Sequence, residues 1–391
     1  MICKGKVMVT LTSRMAKTIN VAIVVTCLAL FCFAGDAAAG KANKNKKRGQ
    51  EETEMLQLMW PEPPQTPRIK FKDIYSSEEH VGRKPTRKEL FMRFIGGVVP
   101  PRSHVYQPMD IVVSDDGNRF YVADFGQNLV FEFDLEAKRT RVIGDMHPLA
   151  SPFGLALDDE ENLYISEQAK RRVIVIDRDR APIRVIEHDS LVRPGDIAID
   201  RERHLLYVAD PLTKASEDHS VKVFDLEGNL LRTVGSKGVC DGCLFFPTFV
   251  EVDLDGNVYV TSTLKSRVDV FDPEGSYLKH FGERGTNFGM FDKPKGVAID
   301  SFGNVYVVDS GWSNVQIFNQ KGEVLLYFGA RGIYPGLLKN PTGIAIDRQN
   351  RIYVADFLNY RVSSYELVNT TAEDSYLDLN QKGGMAPGSG E

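Results

Sequence analysis

Cysteine is scarce in this sequence, and its few positions limit the chemistry that the chain can perform. The chain has 391 residues and 5 cysteines, of which Cys3, Cys27 and Cys32 lie among the first 39 residues. Cys240 and Cys243 therefore have no second pair with which to complete the four ligands of a structural zinc site. A leucine follows Cys243, which excludes the C-x-x-C-H attachment motif of c-type haem.

The two remaining cysteines are separated by only two residues, so the simplest prediction is a local disulfide between Cys240 and Cys243. On the chain-entropy estimate, closing so short a loop stabilises the fold by about 2 kcal/mol. A redox-active dithiol is the alternative, although the surrounding sequence has no thioredoxin-like pattern.

Long apolar runs are also lacking. The run at residues 21–34 is shorter than the roughly 20 residues of a membrane-spanning helix. It is preceded by Arg14 and Lys17 and followed by three alanines before Gly40, which is the layout of a secretory signal peptide. We expect residues 1–39 to be this signal, with cleavage near Ala39, and the protein to be periplasmic or extracellular; an uncleaved anchor is the alternative.

Positive charge is in deficit. The formal net charge is −5 at pH 7, and residues 1–39 carry a net +3, so the remainder carries −8. Binding to nucleic acids or anionic membranes relies on an excess of lysine and arginine, and this composition disfavours both. The local basic stretches at residues 170–172 and 178–180 are interpreted as a solvated, charged face.

What the chain has instead is a repeat, best preserved at Asn340–Asp356. It reads as a short strand, a polar turn and a second strand rich in β-branched and aromatic residues. Related copies recur every 42 to 53 residues, and each opens on a proline: Pro108, Pro152, Pro194, Pro247, Pro294 and Pro341. Third and fourth strands follow in most copies, and four short strands with a period in the forties are typical of propeller blades.

Six copies predict an all-β, six-bladed β-propeller over residues 68–368. The sixth copy lacks an outer strand, so we expect the alternating segment Arg68–Tyr75 to pair onto it and close the ring. Residues 40–67 are predicted to be a disordered linker, residues 85–95 a short helix and residues 369–391 a disordered tail.

The pattern P-x-G-[IV]-A-[IV]-D, followed by N-x-[IV]-Y-V-[AV]-D and V-F-D-x-x-G, resembles the NHL repeat of six-bladed propellers. The resemblance implies an architecture rather than a chemistry. It also brings an enzymatic alternative, because peptide-amidating lyases and some lactone hydrolases hold a metal in the central channel of such propellers. In the core triplets of the inner strands Glu251 is the only ionisable residue, so the channel is expected to be poor in ligands.

Histidines provide the metal hypothesis. His104, His147 and His188 precede the prolines that open the first three blades, and equivalent loops emerge on one face of a propeller. With Glu251 they are candidate ligands for zinc or calcium; solvent-exposed loop histidines are the alternative, and no cofactor is expected.

The aspartates that end each second strand could form a ring of carboxylates around the channel. Their regularity favours a structural role instead, as acceptors for loop backbone or partners of a following arginine or asparagine. They are Asp124, Asp210, Asp309 and Asp356.

The expected function is a monomeric protein-binding or scaffolding module, with a protein partner in the cell envelope or outside it. Inserted loops on a rigid ring are natural recognition surfaces. The longest insertion lies in the third blade, and its candidate contact residues are Pro211, Leu212, Thr213, Lys214 and His219. The competing function is a metal-dependent hydrolase or lyase with its site in the channel.

Overall fold

The computed structural model describes residues 58–83, 87, 91, 104–145, 147–211 and 219–370. All of them lie in one compact unit, Leu58–Glu391. The predicted signal peptide, the linker up to residue 57 and the tail beyond residue 370 lie outside the described residues. So does most of the predicted helix at 85–95, of which Arg87 and Phe91 are described and helical. Among the described residues, no helix has the length and hydropathy needed to cross a membrane.

The chain forms six antiparallel sheets arranged as blades, which confirms the predicted all-β, six-bladed propeller. Two N-terminal strands come first, β1 (Met59–Trp60) and β2 (Ile69–Tyr75). The first three blades follow: β3 (Pro108–Val113), β4 (Arg119–Asp124), β5 (Leu129–Asp134) and β6 (Arg139–Ile143); β7 (Pro152–Leu157), β8 (Leu163–Glu167), β9 (Arg172–Ile176) and β10 (Pro182–Glu187); β11 (Ile197–Asp200), β12 (Leu205–Asp210), β13 (Ser220–Asp225) and β14 (Leu230–Val234).

A two-stranded parallel ribbon, β15 (Ser236–Lys237) and β16 (Cys243–Leu244), connects blade 3 to blade 4. The remaining strands are β17 (Pro247–Val252), β18 (Val258–Ser262), β19 (Arg267–Phe271) and β20 (Tyr277–Phe281); β21 (Pro294–Ile299), β22 (Val305–Asp309), β23 (Asn314–Phe318) and β24 (Val324–Phe328); β25 (Pro341–Ile346), β26 (Arg351–Asp356) and β27 (Arg361–Leu367). Short 3-10 helices occupy Gln168–Lys170 and Phe357–Asn359.

The N-terminal segment closes the ring as predicted. Strand β2 pairs antiparallel with β27, from Ile69 opposite Leu367 to Tyr75 opposite Val362. The expectation of a disordered linker up to residue 67 needs correction, because β1 pairs with β2 as a fifth strand of blade 6. Trp60 explains this order, since its ring lies 5.8 Å from that of Tyr365 and covers the edge of the buried cluster.

The core lies between neighbouring blades, because each sheet buries both faces against the next. The second strand of every blade carries a tyrosine whose side chain is buried, and β-branched residues surround it. In blade 5 the Tyr306 hydroxyl donates a hydrogen bond of 3.0 Å to Asp300, the aspartate that ends the inner strand. The six tyrosines are Tyr121, Tyr164, Tyr207, Tyr259, Tyr306 and Tyr353.

The strand-end aspartates have the predicted structural role rather than forming a carboxylate ring. Asp309 accepts hydrogen bonds from the backbone N–H groups of Asp292, Lys293, Gly311 and Trp312. Asp124, Asp210 and Asp356 bind their loops in the same way. Each of these carboxylates therefore fixes the loop that leads into its own blade.

Because β2 closes the ring, a buried side chain of β2 should contribute as much to the stability of the fold as a buried side chain of the other blades. Ile69 is completely buried in the cluster between blades 5 and 6. We expect Ile69→Ala to lower the free energy of unfolding by about 2 to 5 kcal/mol, because it leaves a cavity in this cluster. Chemical denaturation measures the loss. Ile183→Ala, at an exposed position of β10, is the matched control and should change stability by no more than about 0.5 kcal/mol. Equal effects of the two variants would contradict closure by β2.

Candidate functional site

The six inner strands surround a central cavity of about 650 Å³. It opens among the turns that follow these strands, where Arg201, Leu254 and Arg348 lie at its mouth. We call this side of the ring the turn face, and the opposite side, where the chain crosses from blade to blade, the loop face. Toward the loop face the rings of Phe153 and Phe249, from blades 2 and 4, lie 5.7 Å apart and narrow the channel.

Residues at the third and fifth positions of the inner strands are among those that line the cavity. With the opening proline counted as the first position, the third position is glycine in blades 2, 5 and 6, because the next inner strand approaches closely there. A Cβ on Gly154 would lie 2.6 Å from the Cα of Asp196, and one on Gly343 would lie 2.6 Å from the Cα of Asp110. The inner ends of blades 1 and 3 carry these aspartates in place of the glycine, which directs both carboxyl groups into the cavity.

Asp110 and Asp196 form a buried carboxyl pair. They hydrogen-bond to each other, and each also accepts a backbone N–H of a neighbouring blade, from Leu155 at 2.9 Å and Val250 at 3.1 Å. Two carboxyl groups can share a hydrogen bond only when one of them is protonated. Burial raises the pKa of Asp110 to about 7, and burial together with the neighbouring Asp110 raises the pKa of Asp196 well above its ordinary value. The pair therefore retains a proton near neutral pH.

Glu251 is a third acid in the same cavity. It occupies the fifth position, counted with the opening proline as the first, where blades 2, 3, 5 and 6 have alanine. Its carboxylate accepts a hydrogen bond of 2.9 Å from the backbone N–H of Val252. Burial, with a contribution from Asp110, raises the pKa of Glu251 to about 7, and the Val252 hydrogen bond and Arg201 oppose the shift.

The mouth carries the cations. Arg201 binds Asp115 at 2.7 Å, and Arg348 binds the other oxygen of Asp115 at 2.5 Å. Arg201 also lies 3.8 Å from Asp159. Both guanidinium groups at the mouth are therefore paired with carboxylates, while the interior of the cavity is acidic.

Comparison with known proteins agrees with the architecture. The NHL repeat family matches residues 338–365. This chain is a six-bladed β-propeller with an NHL repeat in its sixth blade. No curated protein sequence matches it.

Similar solved structures include a protein of unknown function from Bacteroides thetaiotaomicron, with a TM-score of 0.52, 17% identity and coverage of 68% of this chain and 70% of that one. A streptogramin B lyase has a TM-score of 0.50 and 12% identity over 67% and 93%. Kuenenia stuttgartiensis hydrazine synthase has a TM-score of 0.50 and 14% identity over 70% and 100%. At these identities the likeness shows the fold alone.

The channel has more carboxyl groups than the core triplets indicate. Glu251 is the one ionisable residue of those triplets, but Asp110 and Asp196, at the position before them, also line the cavity. The signal was present in the sequence, as an aspartate at the repeat position that is glycine in blades 2, 5 and 6. Lys295, the second residue of blade 5, was also missed; burial and the nearby Lys293 together lower its pKa to about 8.

The predicted histidines are exposed and lie in the loops before blades 1 to 3. His188 contacts Ser190 at 2.8 Å through Nδ1, and the backbone carbonyl of His104 accepts a hydrogen bond from Gln127. Within the described ranges no three His, Cys, Asp or Glu side chains are grouped so that they could hold a metal ion. The zinc or calcium site therefore stays a prediction without a described ligand set.

The two cysteines are joined as a disulfide in a loop that has two counterparts. Loops 235–247, 282–294 and 329–341 each turn at a glycine with positive φ, and each contains the same backbone hydrogen bond. It joins the N–H of Cys243, Met290 or Leu337 to the carbonyl three residues earlier, at 3.2, 3.1 and 3.1 Å. The disulfide between Cys240 and Cys243 thus crosslinks a turn that also forms, without a disulfide, in the loops after blades 4 and 5.

The predicted partner contacts of the blade 3 insertion are only partly described. Leu212, Thr213 and Lys214 lie outside the described residues, and Pro211 is buried. His219 is also buried: its Nδ1 accepts the N–H of Phe246 at 2.7 Å, and its ring stacks on Phe245. His219 therefore anchors the end of the insertion, which corrects its assignment as a surface contact.

The carboxyl pair predicts a pH dependence of stability. An aspartate in an unfolded chain has a pKa near 4, whereas that of Asp110 in the fold is about 7. Between these values the folded state binds a proton that the unfolded state has lost, so this group makes the fold less stable as pH rises. Asp110→Asn cannot lose that proton. Its free energy of unfolding relative to the wild type should therefore increase by about 2 kcal/mol from pH 5 to pH 8.

Urea unfolding of both proteins at several pH values measures this difference. Glu274→Gln, at an exposed turn of blade 4, is the control and should follow the wild type at every pH. Parallel curves for Asp110→Asn and the wild type would mean that Asp110 is ionised throughout.

Proposed function

We propose that this propeller is an exported, monomeric protein-binding module whose partner, in the cell envelope or outside the cell, docks on the loop face. The observation that carries the proposal is an arc of exposed apolar side chains on that face. We call it the loop-face arc; its members are Tyr106, Val239, Leu264, Phe288, Trp312, Ile333, Tyr334, Leu358 and Tyr360. Exposed apolar patches of this kind are characteristic of interaction sites.

The three equivalent loops supply the most exposed members of the arc. Val239, Phe288 and Tyr334 stand at or beside the loop tips, with exposed fractions of 80%, 70% and 71%. The loop backbones are fixed by repeated hydrogen bonds, so these side chains are presented by rigid supports. Rigid presentation lowers the entropy lost on binding.

Contacts between the loops make the arc continuous from blade 4 to blade 1. The Trp312 indole N–H donates to the carbonyl of Gly285 at 3.1 Å, and Asn359 donates to the carbonyl of Gly332 at 2.9 Å. The rings of Tyr106 and Tyr360 stack with centroids 5.1 Å apart. Tyrosine and tryptophan are the residues that most often anchor protein interfaces.

The turn face has a different composition. Among the exposed large hydrophobic residues of the described chain, Leu254 is the one that lies in a turn of that face. Asp115, Glu160, Glu202 and Arg348 are typical of the other turn residues, which are charged or polar. The contrast between the two faces favours the loop face for a protein partner.

Replacing arc residues should abolish partner capture without disturbing the fold. The purified protein is used as bait in a pull-down from its own cell envelope. We expect the triple variant Phe288→Ser, Trp312→Ser, Tyr334→Ser to retain at least tenfold less of a protein that the wild type retains specifically. Quantitative mass spectrometry measures the retention. The matched control removes three exposed leucines from outer strands, Leu231→Ser, Leu278→Ser and Leu325→Ser. Equal retention by both triple variants would exclude the loop-face arc as the binding surface.

A second candidate function is a hydrolase or lyase whose site is the central cavity. It is favoured by the Asp110–Asp196 pair, since a carboxyl group that retains its proton near pH 7 can act as a general acid. The metal-dependent form would need a set of ligands, and none is grouped in the described part of the chain. The likeness to a streptogramin B lyase supports the fold of this candidate and no more.

The enzymatic candidate predicts turnover that depends on the pair. Hydrolysis of a short-chain lactone, followed by pH-stat with and without added zinc or calcium, should fall by a factor of about 100 or more in Asp196→Asn. Glu274→Gln should retain the full rate. Lack of turnover of lactones by the wild type would remove this candidate and leave the binding function untouched.

A further inference from the structure

The central cavity has the size of a ligand site rather than of a packing defect. Its volume of about 650 Å³ lies within the range of roughly 300 to 1,000 Å³ found for small-molecule pockets. Most of its wall is apolar and built from β-branched residues and alanines of the inner strands. Ionisable groups converge in it, among them Asp110, Asp196 and Glu251, and an apolar wall with convergent polar groups is the usual composition of a binding pocket.

Glu251 distinguishes one side of this cavity. At the fifth position of the inner strands the other blades have Val112, Ala156, Ala198, Ala298 and Ala345, all of which line the cavity. Glu251 therefore extends into space that four alanines leave open. Protein surrounds it, yet its side chain faces the cavity, which accounts for its partial exposure.

The Glu251 carboxylate lacks a partner of opposite charge. It accepts one hydrogen bond, from the neighbouring Val252, and among the described residues it forms no ion pair. Arg201, the cation whose field reaches it, is bound to Asp115 at 2.7 Å. A buried carboxylate without a counter-ion is costly, and the cost disappears when a ligand supplies the positive charge.

Apart from Arg201 and Arg348, the charged residues that line the cavity are acidic, and they include Asp200 and Glu202. Asp110, Asp196 and Asp253 face Glu251 from blades 1, 3 and 4. Asp300 and Asp347 line the cavity from blades 5 and 6, where they accept hydrogen bonds from their own turns, and Arg348 is bound to Asp115. The field in the cavity therefore favours a cation and disfavours an anion.

We propose that the cavity binds a small organic cation, a primary or secondary ammonium on an apolar body, with Glu251 as its counter-ion. The ammonium group has two or three N–H donors, which can be shared between Glu251 and the carboxyl pair of Asp110 and Asp196. The apolar body lies against the alanine and β-branched walls. The site lies on the turn-face side of the ring, so it is independent of a partner on the loop face.

Calorimetric titration at pH 8 and low salt tests this inference. The probes are 4-phenylbutylammonium, n-hexylammonium and N-methylbenzylammonium, with 4-phenylbutan-1-ol and 4-phenylbutanoate as the neutral and anionic counterparts of the first. We expect at least one ammonium to bind, and the matched alcohol and carboxylate of 4-phenylbutylammonium to bind at least tenfold more weakly. Glu251→Gln should weaken ammonium binding at least tenfold and leave binding of the alcohol unchanged. Glu274→Gln is the control and should bind like the wild type.

A second measurement, the pH dependence of ammonium affinity, tests whether Glu251 acts through its charge or only as part of the cavity wall. Because Glu251 becomes protonated as pH falls through about 7, ammonium affinity of the wild type should drop at least fivefold from pH 8 to pH 5.5. The affinity of Glu251→Gln should change less. The inference fails if none of the three ammonium probes binds below about 10 mM, if the alcohol binds as tightly as the amine, or if Glu251→Gln retains wild-type affinity while its thermal unfolding shows that it is folded.

Discussion

The close approach of six inner strands around one axis is the constraint on which this propeller depends. At their third position the strands come so near one another that a Cβ on Gly154 or Gly343 would lie 2.6 Å from the neighbouring chain. Where the ring has room for a side chain, in blades 1 and 3, the aspartates meet each other instead of water. The same geometry that closes the ring therefore creates a carboxyl pair with a retained proton, because two carboxylates at such a distance cannot both ionise.

The fold could be predicted from the sequence because the repeat spacing carries it. Six prolines at near-equal intervals give six blades, and the missing outer strand of the sixth points to β2 as its substitute. Strand β1 could not be found in this way, since Trp60 stands in a proline-rich segment and its order comes from contacts with Phe328 and Tyr365 in blades 5 and 6. Local composition indicated disorder, and tertiary packing prevailed over it.

The site was less accessible to sequence reasoning, for a physical reason. Asp110 and Asp196 come from blades 1 and 3, with blade 2 between them, and only the curvature of the ring brings their carboxyl groups into contact. Glu251 is visible as an interruption of an apolar strand, but its lack of a counter-ion depends on where Arg201 and Asp115 lie. His219 failed as a surface residue because its neighbour is Phe245, at the start of the next blade. Partners of this kind are set by topology, not by spacing.

The inner strands and the loops between blades differ in how tightly the structure constrains their side chains. The inner strands are confined at the third position, where a Cβ on Gly154 or Gly343 would meet the next chain, whereas the fifth position has room for alanine, valine or Glu251. The loops between blades are supported by the same internal hydrogen bond whether the tip carries a disulfide, as at Cys240, or aromatic residues such as Phe288 and Tyr334. The side chains at the loop tips are therefore not needed to fix the loop conformation. A single ring in this way carries an apolar arc on one face and an acidic cavity that opens to the other.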